Sequence, residues 1–509
     1  MYVGDYLARR CLYSPDKLAL VDATQSPPRR LTYADLNERA NRLANALQAR
    51  GIRKGDRVGL LAYDGLHFYD LFFACCKLGA IFVPYNWRLH ARELERLIGK
   101  TAPGLLFYET EPPMRDVAEE LHGKTAPEWV PLTANDGDSL QRWLASAADA
   151  PVSCDAVTEL DTACLLFTGG TTGEPKAAQI SHRQIVWNAF NTHLADVQAT
   201  DVYLNIFPLF HTGGLFAFTL PLLILGGTVV QLKRFEPERV LEWIERERVT
   251  LLAGVPTMFQ ALTESPRWPE ADLSSLRYCL SGGAPMPVPL IRKYAKEKDV
   301  VFRQGFGMTE FGPSVFSLPA EDAVRKAGSI GRPNFFVEAR VVDVNSGRPL
   351  PPGEIGELVL RGPTATTGYY HDPEATAALF DDEGFLHTGD LAYVDDEGYF
   401  FIVDRLKDMF ISGGENVYPA EIEAVLFRHP AVAQCAVVGV PDERWGQVGV
   451  AFVVCRAGKS VTEAELLAFL REHLARYKVP KRIVFRESLP VSGAGKILKK
   501  ALQAEAKRL

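Results

Sequence analysis

The chain is expected to be an α/β protein of layered, mostly parallel sheets, and three observations lead there. First, helical and strand patterns alternate over residues 33–84. Residues 33–49 place Leu36, Ala40, Leu43, Ala44 and Leu47 at helical spacing, and Gly51 follows the last turn. Arg57-Val-Gly-Leu-Leu-Ala reads as a strand, residues 69–78 as a helix, and Ala80-Ile-Phe-Val-Pro as a strand. That alternation suits a parallel sheet with helices packed on it. Second, 509 residues are too many for one hydrophobic core, so two or more domains are expected. Third, the pattern changes late in the chain. Gly356-Glu-Leu-Val-Leu-Arg-Gly and Gly368-Tyr-Tyr suggest a strand and loop of a β-rich subdomain. Beyond residue 408, helix 421–427, strands 435–440 and 450–454, and helix 463–476 form a second α+β domain of about 100 residues.

Composition narrows the function. Apolar residues make up 47% and charged residues 23%, as in ordinary globular enzymes. The net charge of −7 argues against a general nucleic-acid binder, whose footprint is basic. Eight cysteines are scattered through apolar runs with no CxxC pair, which reads as free buried thiols rather than a zinc or redox motif. The N-terminus has no basic-then-apolar signal, and no apolar run reaches membrane-spanning length. A cytoplasmic protein is expected.

The most informative stretch is residues 164–183. Cys164 to Phe167 is a short apolar run that reads as a buried strand. Thr168, Gly169, Gly170, Thr171, Thr172 and Gly173 then follow, with Lys176 behind Pro175. Glycines let successive backbone N–H groups turn toward one point. The threonine hydroxyls add donors and the lysine a full charge, which together suit a polyphosphate. It is not the kinase-type loop, because Pro175 precedes the lysine and no Ser or Thr follows it. A mobile surface loop is the alternative reading of the glycines alone.

This stretch resembles the phosphate-binding signature of the adenylate-forming (AMP-binding) superfamily, which includes acyl-CoA synthetases, luciferases and peptide-synthetase adenylation domains. Gly169 stands where that signature usually has serine, and Ala177 where it has glycine. The resemblance extends from about residue 30 to 500, with at least six motifs in family order. It implies a domain of residues 1–404, a hinge at 405–408 and a mobile lid of 409–509. It also implies ATP, Mg²⁺ and CoA, with a small carboxylic acid as the remaining reactant.

Each motif carries a role by that resemblance. His211, in Pro208-Leu-Phe-His-Thr-Gly-Gly, borders the carboxylate substrate. Peptide-synthetase domains carry aspartate there to hold an ammonium, so His211 counts against an amino acid substrate. Gly283, Ala284 and Pro285 form a turn along the adenine. Gln304-Gly305-Phe306-Gly307-Met308-Thr309-Glu310 provides a ring to stack on the base, a hydroxyl for the α-phosphate and a hard oxygen ligand for Mg²⁺. Asp390 offers two acceptors to the ribose, joined by Ile402 and Arg405. Lys407 is the hinge, and the charged stretch 404–408 reads as exposed linker. Gly413 and Gly414 resemble the bare strand lining the pantetheine tunnel. Trp445 reads as core from composition and as a pantetheine contact from the resemblance. Lys496, on Pro490-Val-Ser-Gly-Ala-Gly-Lys, bridges the α-phosphate and the carboxylate.

The expected reaction is acid–CoA ligation through acyl-AMP. A fatty acid is the expected substrate, because residues 215–225 and 302–316 are rich in apolar side chains. An aryl acid is the alternative, with Gly307 and Gly312 leaving room for a flat ring. A ligase loading a carrier protein is a further alternative, and a homodimer is compatible with either.

Overall fold

The computed structural model describes residues 3–134, 137–168, 175–413, 415–491 and 497–508. The chain divides into two compact units, Met1–Ala339 with Leu360–Leu386, and Arg340–Val359 with His387–Leu509. Residues 340–359 and 387–404, which the sequence places in the first domain, are grouped here with the C-terminal segment.

The first unit holds two large sheets. One has nine strands, in the order Arg332–Pro333, Gly312–Leu318, Phe302–Met308, Tyr278–Gly282, Leu251–Gly254, Val202–Asn205, Thr228–Gln231, Leu18–Asp22 and Arg29–Thr32. The run from Phe302–Met308 to Leu18–Asp22 is parallel throughout. The other has six strands, in the order Glu128–Pro131, Leu105–Tyr108, Arg57–Leu61, Ile81–Pro84, Thr162–Thr168 and Lys176–Ser181. Only its last pair is antiparallel. Buried on both faces, these strands read as apolar runs.

The helices between them follow the sequence closely. Tyr33–Ala49 starts at Thr32, whose hydroxyl accepts the Asp35 N–H while the Asp35 carboxylate accepts the Thr32 N–H. Its five apolar positions at helical spacing are all buried. Leu66–Leu78 is buried along nearly its whole length between the layers, and its Lys77 is paired with Asp5 at 2.6 Å. Five of the eight cysteines are buried, and all are free thiols. Among the described residues no helix is long and apolar enough to cross a membrane.

Two buried titratable groups in this unit set opposite pH trends. Burial pushes the Asp64 carboxyl up to about 7, against the pull of the Leu209 N–H and Arg88. Burial pushes the His182 imidazole down to about 4. Between pH 3.8 and 7 the unfolded chain releases the Asp64 proton while the folded chain keeps it, so this contribution falls as pH rises, by about 4 kcal/mol in all. His182 runs the other way, with stability falling as pH drops from 6.5 toward 4. Asp64→Asn should therefore gain melting temperature over the parent at pH 8 but not at pH 5. Equal shifts at both pH values would refute the burial account.

The second unit carries a four-stranded sheet, in the order Glu338–Val342, Gly356–Arg361, Leu386–Val394 and Phe400–Arg405. It also carries a five-stranded sheet in which Glu415–Val417, Phe410–Ser412, Gly446–Cys455 and Val432–Asp442 are antiparallel neighbours. Arg482–Phe485 joins Gly446–Cys455 in parallel. Helices Pro419–Leu426 and Glu463–His473 cover that sheet through Ile422, Leu426, Leu466 and Leu470. This is the α+β arrangement the sequence implies, although the second helix stops at His473 rather than 476.

Candidate active site

In an open parallel sheet, ligands bind at the carboxyl ends of the strands. Of four adjacent strands of the nine-stranded sheet, three end in segments that the sequence marks. Val202–Asn205 runs into the loop that carries His211. Leu251–Gly254 leads into Val255. Tyr278–Gly282 leads into Gly283, Ala284 and Pro285, which are exposed. Phe302–Met308 leads into Thr309 and Glu310. Sequence reasoning therefore placed three motifs on one edge of one sheet.

The turns there are built to stay open. Gly283 has φ +76°, a conformation that favours glycine. Gln304 is buried, and its Oε1 accepts the Met286 N–H at 2.8 Å. Its Nε2 is buried with no hydrogen-bond partner among the described residues. A buried amide donor left over beside an exposed glycine turn suits a planar ligand carrying acceptors. Phe306 meets Phe316 edge-on at 5.8 Å.

His211 sits on a tightly folded loop. The Leu209 N–H donates to Asp64 at 2.8 Å, and the His211 Nδ1 accepts the Gly213 N–H at 3.2 Å. A π-helical turn, Gly213–Ala217, follows. Gly214 is obligatory, because a Cβ there would lie 2.1 Å from the Pro208 carbonyl oxygen.

Thr309 and Glu310 are buried, and neither starts a helix. The Gln184 amide donates to the Thr309 carbonyl at 3.1 Å, and the Thr366 N–H donates to the Glu310 carbonyl at 2.7 Å. The Glu310 Oε1 accepts from the Tyr369 hydroxyl at 2.9 Å. The Tyr369 ring lies 4.9 Å from the Lys176 ammonium. The strand Thr162–Thr168 pairs antiparallel with Lys176–Ser181, with Thr168 opposite Lys176. Residues 366–370 run along the outer edge of that pair, with Gln179 N–H to Gly368 O at 2.9 Å and Tyr370 N–H to Ala177 O at 2.8 Å. The lysine behind the Gly/Thr stretch and the carboxylate of the Thr-Glu motif are thus joined through a tyrosine that the sequence marked only as loop. Gln184, Thr366 and Tyr369 were all missed. Only Tyr369 left a trace, in the Gly368-Tyr-Tyr punctuation.

Leu215, Phe216, Leu220, Leu222 and Leu223 are buried in the main core. Gly307 and Gly312 are explained by the hairpin itself. A Cβ on Gly307 would meet the Pro313 carbonyl oxygen at 2.2 Å, and Gly312 has φ +90°. Behind this hairpin lies a cavity of about 30 Å³ lined by Ala217, Phe218, Leu280 and Phe316, with Tyr278 and Arg303 also on its wall.

In the second unit, Asp390 lies within the strand Leu386–Val394 rather than in a turn. It is opposite Arg405 in the neighbouring strand, and the Arg405 Nε meets its carboxylate at 2.7 Å. Ile402 lies on that same strand, half-buried, and Lys407 is exposed just beyond it. Asp404 departs from the exposed-linker expectation. It is buried, burial raises its carboxyl pKa, and its carboxylate accepts the Ala420 N–H at 2.8 Å at the start of helix Pro419–Leu426. Gly413, at φ +61°, turns the hairpin between Phe410–Ser412 and Glu415–Val417. Trp445 is 47% exposed, which overturns the core reading. Its indole would lie 3.0 Å from a Cβ on Gly413, so the two expected pantetheine residues are neighbours. Gly169, Gly170, Thr171, Thr172, Gly173, Gly414 and Lys496 lie outside the described residues.

Comparison with known proteins bears directly on this arrangement. Residues 7–370 match the AMP-binding enzyme family, and residues 421–496 match the AMP-binding enzyme C-terminal domain. The chain belongs to the AMP-binding enzyme family. Within it the chain sits in the acid–CoA ligase branch. It is 44% identical to a feruloyl-CoA synthase of an Amycolatopsis species, over 98% of this chain and 97% of that one. It is 38% identical to the long-chain-fatty-acid–CoA ligase FadD13 of Mycobacterium tuberculosis, over 99% and 98%. The crystal structure of ATP-bound MatB from Rhodopseudomonas palustris superposes with a TM-score of 0.90 at 33% identity, covering 99% of both chains. That family's large N-terminal and small C-terminal domains agree with the α/β class read from the sequence.

Proposed function

We propose that the chain activates a compact aromatic carboxylic acid as its acyl-AMP and passes the acyl group to CoA. The observation that carries this reading is the convergence of His211, Gly283, Thr309 and Glu310 on the carboxyl edge of one parallel sheet. In the first half-reaction the acid's carboxylate attacks the α-phosphorus of ATP and pyrophosphate leaves. Two anions must meet, so positive charge and positioning govern the barrier. The Thr168–Lys176 segment holds the leaving pyrophosphate. Thr309 orients the α-phosphate, and Glu310 would hold Mg²⁺, which would supply charge neutralisation when bound. Among the described residues no group of three or more His, Cys, Asp or Glu could hold a metal. One buried carboxylate suits Mg²⁺, which takes most of its ligands from phosphate and water.

In the second half-reaction the CoA thiolate attacks the acyl carbon and AMP leaves. Asp390 and Arg405 hold the ribose, Gly413 and Trp445 line the path of the pantetheine arm, and the 405–408 segment acts as hinge between the two steps. An aromatic acid is favoured over the fatty acid expected from apolar content. Four leucines of residues 215–225, Leu215, Leu220, Leu222 and Leu223, are taken up by the core. The higher identity to a feruloyl-CoA synthase than to FadD13 points the same way. The test is a panel of acids from acetate to palmitate with benzoates and arylpropenoates, scored by CoA-dependent AMP release. An arylpropenoate should lead the panel in kcat/KM by at least about tenfold, the margin a shape-matched apolar pocket supports. A lead for C8–C16 fatty acids would restore the fatty-acid reading.

A further inference from the structure

We infer that Tyr369 is a positioning residue for the first half-reaction, holding the Mg²⁺ ligand Glu310 with its hydroxyl and Lys176 with its ring. The inference rests on the proposed magnesium–nucleotide reading of this site. Three segments far apart in the chain meet on this side chain. The hydroxyl donates to the Glu310 Oε1 at 2.9 Å across 59 residues of sequence, and the Lys176 ammonium sits 4.9 Å from the ring centroid.

The geometry is fixed from behind as well. The Thr366 N–H donates to the Glu310 carbonyl at 2.7 Å, and the Tyr370 N–H donates to the Ala177 carbonyl at 2.8 Å. The strap 366–370 is therefore bonded to the backbone of both partners, one residue or less from each functional side chain. Gly368 is needed to make this turn. It has φ +129°, and a Cβ there would lie 2.4 Å from the Thr376 side chain.

The chemistry divides between the two ends of the side chain. A carboxylate has about four lone-pair positions. The phenol occupies one on Oε1 and fixes the plane of the group, leaving other positions for a cation. The phenol is the donor of this hydrogen bond and the carboxylate its acceptor. The ring face attracts an ammonium through its quadrupole. One side chain thus sets the spacing between a metal ligand and a pyrophosphate-binding cation. Partners that orient a metal ligand in this way are worth about 10–100-fold in metal affinity.

Tyr369→Phe separates the roles, because it deletes the hydroxyl and keeps the ring. Tyr369→Leu deletes both. The probe is Mn²⁺ with an ATP analogue that cannot be cleaved between the α- and β-phosphates, read by the electron paramagnetic resonance of free Mn²⁺. Tyr369→Phe should weaken Mn²⁺ binding about tenfold while metal-free analogue affinity stays within about twofold. Tyr369→Leu should weaken both. Thioester formation from supplied acyl-AMP needs neither pyrophosphate nor its metal, and should stay within about twofold in both variants. Mn²⁺ binding by Tyr369→Phe that matches the parent overturns the proposal, and so does an equal loss in both half-reactions. A parent protein whose analogue binding does not respond to metal overturns instead the magnesium reading beneath it.

Discussion

Lys496→Ala should lower acyl-AMP formation by about 10³-fold and leave thioester formation from supplied acyl-AMP within about twofold. Pyrophosphate exchange reports the first quantity, and acyl-CoA formation from synthetic acyl-AMP reports the second. The asymmetry follows from charge. Adenylation presses a carboxylate against the triphosphate of ATP, and a cation bridging the two reacting groups stabilises a transition state in which negative charge is shared. Thioester formation starts from an adenylate whose carboxylate charge is already gone. Lys496 lies outside the described residues, in a C-terminal motif that matches the family's domain over 421–496. Equal losses in the two half-reactions would place the lysine in the architecture rather than in the first step.

Gly214→Ala should be the most damaging single substitution on the acid-binding side. A Cβ at 214 would lie 2.1 Å from the Pro208 carbonyl oxygen, 2.5 Å from its carbon and 2.9 Å from the Phe207 carbonyl oxygen. All three are backbone atoms, so no rotamer change relieves the clash. The loop 207–213 must move, and it carries His211. Forced overpacking of this kind costs up to about 3 kcal/mol. The expected result is a lower unfolding midpoint with a loss of at least about tenfold in kcat/KM for the acid, while KM for ATP changes little. A variant with parental acid kinetics would show that the loop does not border the acid.

The strand Tyr278–Gly282 and the end of Phe302–Met308 were legible because their signals are local. Tyr278–Gly282 stops at a glycine turn and Phe302–Met308 at a Thr-Glu pair, where those signals fall in the sequence. The helix Tyr33–Ala49 was legible from its 3.6-residue period and from Gly51 beyond its last turn. What sequence reasoning misread depends on partners distant in the chain. Asp404 looks like part of an exposed charged linker, yet it is buried because the Ala420 N–H needs an acceptor. Trp445 looks like core, yet it stands half out of the surface against a glycine turn. Apolarity alone does not divide residues 215–225 between core and cavity, for four of the leucines lie in the core while Ala217 and Phe218 line a cavity. Tyr369 carries no local mark of its link to Glu310, because that link spans 59 residues and an intervening sheet segment.

The compact first unit is discontinuous, since Leu360–Leu386 returns to it after Arg340–Val359 has joined the second. Synthesis on the ribosome must therefore deliver Glu310 well before the tyrosine that holds it. At about 5–20 residues per second the 59-residue gap lasts roughly 3–12 s. Both large sheets are fully translated before that interval ends, so a nascent chain stopped at residue 339 should hold folded sheets with Glu310 still lacking its tyrosine partner. A fragment ending there is the natural species on which to watch the Glu310–Tyr369 contact form on addition of the 360–386 peptide.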